Sequence, residues 1–161
     1  MPTAYIGLGA NLGQPAEQVC HAIAALTRTS GVTLHAQSSL YRSVAIGLPG
    51  QPDYCNAVCA LNTTLDAESL FDALIAIEQA AGRIRDGTRW GPRVLDLDLL
   101  HYEGRNQTAL RLTLPHPEIA KRNFVLVPLA EIAPELEIAG VGCVRELAAK
   151  LGRDGLSLWN S

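Results

Sequence analysis

Apolar periods that switch between two and 3.6 residues predict an α+β fold for this 161-residue chain. Two observations carry the expectation. Strand-like and helix-like runs follow one another as β-α-β, a Pro/Gly-rich loop, and β-α-β again, with further elements behind. The hydrophobic fraction is 48%, enough for one core of ordinary size. Two such units in succession fit a ferredoxin-like sandwich, a mainly antiparallel sheet with helices packed on it, in a single domain over residues 1–161. Spacing alone leaves other α/β arrangements open.

Each element has its own warrant. Thr3 to Gly9 reads as a short buried strand, and Gly7 to Gly13 as a tight strand-to-helix turn. It is no Walker-type loop, because no Gly-Lys-Ser/Thr closes it. Gln14 to Thr29 places Val19, Ala22, Ile23 and Leu26 at helical spacing, and Gly31 ends that pattern. Val32 to Tyr41 reads as a second strand. Arg42 to Asp53 holds Gly47, Pro49, Gly50 and Pro52 and reads as a long loop. Tyr54 to Asn62 alternates: Cys55, Ala57, Cys59 and Leu61 face one way, Tyr54, Asn56, Val58 and Ala60 the other. Asp66 is the expected N-cap of a helix to about Ala81 that buries Leu70, Phe71, Leu74 and Ile77. Val94 to Leu100 is the next strand. Leu110 to Leu114 alternates again, so Arg111 and Thr113 share a face, and Pro115-His116-Pro117 makes a stiff corner. A helical turn over Glu118 to Arg122, a helix through Ile132 and a last helix from Val144 to Leu151 complete the reading.

Composition narrows the function. Formal net charge is −3, which disfavours broad nucleic-acid binding, yet four arginines crowd between Arg83 and Arg93. Local basicity on an acidic body suits a small polyanion. The first residues carry no basic segment leading into an apolar run, and no apolar run approaches ~18 residues, so neither a signal peptide nor a membrane span is expected. Cys20, Cys55, Cys59 and Cys143 form no Cys-x-x-Cys pair and read as reduced thiols of a cytoplasmic protein.

The chemistry is concentrated between Arg83 and Asp98. In a strand, Asp96 and Asp98 share one face and Leu95, Leu97 and Leu99 the other. Two carboxylates on one face repel each other and resist desolvation. A bound divalent cation removes both objections, and carboxylate oxygens are ligands that Mg2+ prefers. The adjoining guanidiniums supply charge and bidentate donors for a phosphate chain. Metal carboxylates beside arginines suggest phosphoryl transfer. The alternative is that the arginines simply neutralise the aspartates as ion pairs. Tyr54 and Asn56 set an aromatic beside an amide, which a strand end would equally explain.

Four fragments occur in order: Gly7 to Gly13; Gln51-Pro52-Asp53-Tyr54-Cys55-Asn56; Arg89-Trp90-Gly91-Pro92-Arg93-Val94-Leu95-Asp96-Leu97-Asp98-Leu99; and Leu114-Pro115-His116-Pro117 with Arg122-Asn123-Phe124. Together they resemble 6-hydroxymethyl-7,8-dihydropterin pyrophosphokinase of folate biosynthesis, from about Ala4 to Pro134. The resemblance implies transfer of pyrophosphate from ATP to the hydroxymethyl group, with AMP as the other product. It implies that Asp96 and Asp98 hold two Mg2+ ions, with Arg83 and Arg93 as catalytic partners. Tyr54 and Phe124 correspond to the aromatics that sandwich the pterin and Asn56 to the amide that reads its edge, helped by the backbone near Ser43, Val44 and Ile46. Arg85, Arg89, Trp90, Leu99, Arg111, Thr113, His116 and Arg122 correspond to nucleotide contacts, with Arg85, Arg89 and Trp90 in a loop expected to close on ATP. The chain departs from the family pattern at Ala10, Ser43-Val44, Ile75 and Pro117. The expected partners are ATP and a dihydropterin, with no nucleic acid and no membrane, acting on a monomer. Two other classes stand beside this one: a two-metal enzyme acting on a nucleic-acid polymer, marked by salt-dependent DNA binding, and a ligand-binding module without turnover.

Overall fold

A computed structural model describes residues 1–44, 52–81 and 95–160. Its main sheet is built from β1 (Thr3–Ala10), β2 (Val32–Gln37), β3 (Tyr41–Ser43), β4 (Tyr54–Thr63), β5 (Asp96–Tyr102) and β8 (Leu156–Leu158). The strand order is β5-β1-β4-β3-β8, and β2 also pairs with β4. Every pairing is antiparallel. A two-stranded ribbon of β6 (Glu137–Ile138) and β7 (Gly142–Cys143) stands apart. The sheet is α+β and ferredoxin-like, as its sequence predicts.

Helices cover both faces. On one side lie α1 (Pro15–Thr27) and α2 (Ala67–Ala80). Pro15 starts α1 where a missing N–H costs nothing, and Val19, Ala22, Ile23 and Leu26 turn inward at helical spacing. Asp66 caps α2 by accepting the Ser69 N–H at 2.8 Å. Of the four expected core residues of α2, Leu70 and Leu74 are buried, and Phe71 and Ile77 pack on the core partly covered. They meet Ile6 and Leu8 of β1, Cys59 and Leu61 of β4, and Leu97 and Leu99 of β5. On the other face a short turn, Ile119–Lys121, and α3 (Asn123–Ile132) pack Ile119, Val125 and Leu129 against Val58 and Leu100. α4 (Val144–Leu151) lies against α3. The two-faced alternation of β4 is therefore as expected, with Cys55, Ala57, Cys59 and Leu61 toward α1 and α2.

Four stretches differ from expectation. The second strand is two strands, because three residues, Ser38 to Leu40, face only Ala57 and Val58 between the pairs Gln37↔Cys59 and Tyr41↔Asn56. Ser38 fills the bulge: its N–H donates to Val58 O at 2.9 Å and its hydroxyl accepts the Val58 N–H at 3.0 Å. Gly7 and Gly9 lie inside β1 rather than in a turn, since the strand runs on to Ala10. After Gly140 the expected last helix forms as α4, and the tail beyond it, without an assignment in the sequence, adds β8, which closes the sheet beside β3. Leu110 to Leu114 keeps its alternation, with Leu112 and Leu114 buried, but joins no strand; only the bridge Gln107↔Leu114 marks it.

Candidate active site

The face of the sheet that α3 leaves uncovered opens into a cavity of about 580 Å³. Its floor is β1, where Gly7 and Gly9 present no side chain. Register sets Gly9 between Asp96 on β5 and Asn56 on β4, and Gly7 between Asp98 and Val58. A Cβ on Gly9 would lie 3.0 Å from Asn56 Nδ2, and one on Gly7 would lie 3.3 Å from Leu100 Cδ2. Glycine is what lets these neighbours approach so closely.

Around that floor the expected residues converge. Asp96 and Asp98 line one wall, and Tyr54, Asn56 and Phe124 line the cavity with them. Asn56 is buried and accepts the Ser43 hydroxyl through Oδ1 at 2.5 Å. Val44 is an exposed rim residue, held by its N–H to Gly155 O at 3.2 Å. Asn123 Nδ2 donates to Asp154 O at 3.0 Å. The tail thus shapes the rim, a contact between distant segments that no local pattern announces.

Two cations or cation precursors flank Asp98. Arg122 Nη1 stands 3.9 Å from Asp98 Oδ2, with its guanidinium 5.8 Å from the Phe124 ring centre. His116 Nε2 stands 3.8 Å from Asp98 Oδ1. His116 Nδ1 accepts the Glu118 N–H at 3.1 Å, so the neutral ring carries its proton on Nε2, facing Asp98. Burial pulls the imidazole below its ordinary pKa; Asp98 pulls it back up and Arg122 again lowers it. The corner that delivers His116 follows a cis Leu114–Pro115 bond.

Other expected residues lie elsewhere. Leu99 is buried in the core under α1 and α2, on the opposite face of β5 from the cavity. Arg111 is exposed, ion-paired with Asp72 of α2 and set over the Phe71 ring. The Thr113 hydroxyl donates to Ala109 O at 3.2 Å. Neither Arg111 nor Thr113 lines the cavity. Ile46, Arg83, Arg85, Arg89, Trp90 and Arg93 lie outside the described residues, as does the loop expected to close on ATP.

One residue escaped the sequence reading. Glu78 of α2 is buried, and its Oε2 accepts the Leu97 N–H at 2.8 Å. Leu97 is the residue between the two aspartates. Helical spacing places Glu78 next to Leu74 and Ile77 on the inner side of α2, which was the available signal for a buried carboxylate.

The donor set suits Mg2+. Among the described residues no group of three or more His, Cys, Asp and Glu side chains forms a metal cage. Magnesium is commonly held by one or two carboxylates, with substrate phosphates and water completing its shell. Asp96 and Asp98 on an open cavity wall fit that pattern.

A family model for 7,8-dihydro-6-hydroxymethylpterin-pyrophosphokinase matches residues 5–134. A 2-amino-4-hydroxy-6-hydroxymethyldihydropteridine pyrophosphokinase of Methylorubrum extorquens is 45% identical over 156 residues, covering 97% of this chain and 98% of its own. The protein of the same name from Haemophilus influenzae is 44% identical over 147 residues, covering 91% of each chain. Among solved structures, a Plasmodium falciparum HPPK-DHPS triple mutant with pteroate superposes with a TM-score of 0.75 at 12% identity. That match covers 98% of this chain but 46% of the longer one, and at such identity it speaks for the fold alone. Matched along most of its length by the family model and along nearly all of it by these bacterial relatives, the chain belongs to the 7,8-dihydro-6-hydroxymethylpterin-pyrophosphokinase family.

Proposed function

We propose that the chain transfers the pyrophosphoryl group of ATP to the hydroxymethyl oxygen of 6-hydroxymethyl-7,8-dihydropterin, releasing AMP, in folate biosynthesis. The observation that carries this reading is one cavity lined both by two carboxylates and by two aromatics with an amide. Carboxylates suit a metal-bound phosphate chain, and a flat heterocycle suits aromatic faces with an amide at its edge.

In this reading Tyr54 and Phe124 stack the ring and Asn56 pairs with its polar edge. The pterin alcohol is thereby held facing Asp96 and Asp98. Those two carboxylates would hold two Mg2+ ions, which would neutralise charge on the phosphates. The alcohol oxygen forms a bond to the β-phosphorus and gives up its proton to solvent, the bond from that phosphorus to the α,β-bridging oxygen breaks, and the electron pair leaves with AMP. Arg122 sets a fixed positive charge at the cavity wall where phosphate oxygens would lie. His116, neutral, keeps its Nε2 proton toward Asp98 and orients that carboxylate. Arg83 and Arg93 are assigned to the transferring phosphates, with Arg85, Arg89, Trp90, Arg111 and Thr113 on the nucleotide and Ser43, Val44 and Ile46 near the ring. Positioning and charge stabilisation supply the rate.

The same reading takes residues 1–161 as one domain, acting as a monomer in the cytoplasm. Four free cysteines support a reducing compartment, and no helix among the described residues is long and apolar enough to cross a membrane. The test is to mix the protein with ATP, Mg2+ and 6-hydroxymethyl-7,8-dihydropterin and to follow AMP. Formation of AMP and the pterin diphosphate in equal amounts is expected. Nucleotide binding without turnover refutes the reading and leaves a binding module.

A further inference from the structure

Residues 153–159 run past the ring half of the cavity and tie two of its walls together. The Leu156 N–H donates to Arg153 O at 3.0 Å, and the turn so closed presents two successive carbonyls. Gly155 O accepts the Val44 N–H at 3.2 Å, just past the end of β3. Asp154 O accepts Asn123 Nδ2 at 3.0 Å, at the first residue of α3 and beside Phe124. Asp154 and Gly155 themselves line the cavity. The segment is thus a strap from one wall to the other. It has little burial of its own, since Ser157 and Leu158 of β8 are exposed. Its anchor is Trp159, whose N–H donates to Leu40 O at 2.9 Å. The indole packs against the core under α1 and α2, with the Arg42 guanidinium 4.0 Å from its ring centre. That is the face of the sheet away from the cavity, and neither Trp159 nor Arg42 lines the cavity.

We propose that Trp159 is a positioning residue for the ring: by latching the strap on the far face of the sheet, it holds Val44 and the start of α3 at the separation a flat heterocycle requires. The proposal rests on the pyrophosphokinase reading, which supplies the ring, and adds to it a residue outside the cavity. With the strap released, the Val44 N–H and the Asn123 amide lose their partners, and the walls they belong to are free to move apart. Only molecules with the strap seated then bind the ring well, and the apparent affinity falls by that fraction. A strap seated in about one molecule in ten gives about a tenfold loss. The carboxylate wall is spared, because β5, which carries Asp96 and Asp98, is the strand at the other end of the sheet.

Two variants of the full chain release the strap by different routes. Trp159→Ala removes the indole. Ser157→Pro puts a proline ring and a missing N–H into β8 opposite Arg42, at an exposed position that leaves the core filled. Each is titrated calorimetrically with 6-hydroxymethylpterin in the presence of Mg2+ and a non-hydrolysable ATP analogue, and with that analogue alone. Both should bind the ring about tenfold more weakly and the analogue as tightly as the unaltered protein does. Trp159→Phe, which keeps an aromatic face for Arg42, should recover most of the ring affinity. In turnover the loss should appear as a raised KM for the ring, with kcat at saturation little changed. Should Trp159→Ala fail to fold, Ser157→Pro decides. Unchanged ring affinity in folded Ser157→Pro overturns the proposal and leaves the pyrophosphokinase reading intact. A parallel loss of ring and nucleotide marks a general loosening of the fold and also overturns it. An unaltered protein that binds the analogue but no ring overturns both.

Discussion

Replacing Glu78 tests how the two aspartates are held. β5 forms the outer strand of the sheet among the described residues, with β1 on its inner side. The carboxylate of Glu78 reaches from α2 to the Leu97 N–H at 2.8 Å, fixing the peptide between Asp96 and Asp98. Glu78→Leu keeps much of the side-chain volume and removes the acceptor. An unsatisfied buried N–H costs about 1–3 kcal/mol. Relief from burying a carboxylate offsets part of that, so a net loss of about 1–2 kcal/mol is expected in urea unfolding. The functional effect should be larger than the stability loss implies. A displacement of roughly 1 Å at a reacting group can cost ~10²-fold. Turnover should therefore fall by about 10–10²-fold, and half-maximal rate should require more Mg2+, while ring affinity without metal stays the same. Glu78→Gln keeps an acceptor oxygen and should recover most of both. If Glu78→Leu loses stability as calculated yet keeps its turnover and Mg2+ dependence, Glu78 braces the fold and has no part in aiming the aspartates.

Three further outcomes are expected. Asp96→Asn and Asp98→Asn should each lower turnover by at least ~10²-fold, with an unchanged or raised thermal midpoint because a repelling charge is gone; near-normal rates in saturating Mg2+ would remove the metal assignment. Tyr54→Ala and Phe124→Ala should each weaken ring binding by about 1 kcal/mol or more and spare ATP, and the reverse pattern in titrations would mean the ring sits elsewhere. Burial pushes the thiols of Cys55 and Cys59 up to about 12, with Cys20 adding to the rise at Cys55 and Arg42 opposing it, so at pH 8 both are almost wholly protonated. Iodoacetamide should label exposed Cys20 in the native protein and leave Cys55 and Cys59 unmodified until it unfolds, as peptide mass mapping would read; native labelling of Cys59 would contradict its burial.

What the sequence reveals depends on the range of the interaction involved. The alternation of β4 is local and legible, and so are the Asp66 cap, the Asp96–Asp98 face and the bounds of α4, since each is decided within a few residues. The break between β2 and β3 is not, because it depends on Ser38 meeting Val58 and on Glu131 of α3 accepting Ser39 and Tyr41. Gly7 and Gly9 look like turn residues until register places them between Asn56 and the aspartates. Leu156 to Leu158 is too short to declare itself a strand, and it becomes one by pairing with β3, while Arg42 stacks 4.0 Å over the ring of Trp159. Glu78 shows the same limit: α2's period marks it as inward, but only the tertiary contact shows what it holds.

The loose contacts around Asp98 suit a site that must exchange partners. Arg122 and His116 stand 3.9 and 3.8 Å from its two oxygens, well beyond the ~2.7–2.9 Å of a charge-assisted hydrogen bond. At such separations the two pairings bias the orientation of the aspartate more than they bind it. A cation arriving with nucleotide can take the oxygens at modest cost in the pairings it displaces. In the proposed reaction Arg122 would then be available to phosphate without leaving its place beside Phe124. In the proposed reaction that one side chain adjoins both halves of the cavity, the carboxylate wall and the aromatic face. The glycine floor between them keeps the path from ring to phosphate clear of side chains. The same geometry explains why an extended, apolar strand can carry two acids: Asp96 and Asp98 face the cavity, while Leu97 and Leu99 face the core.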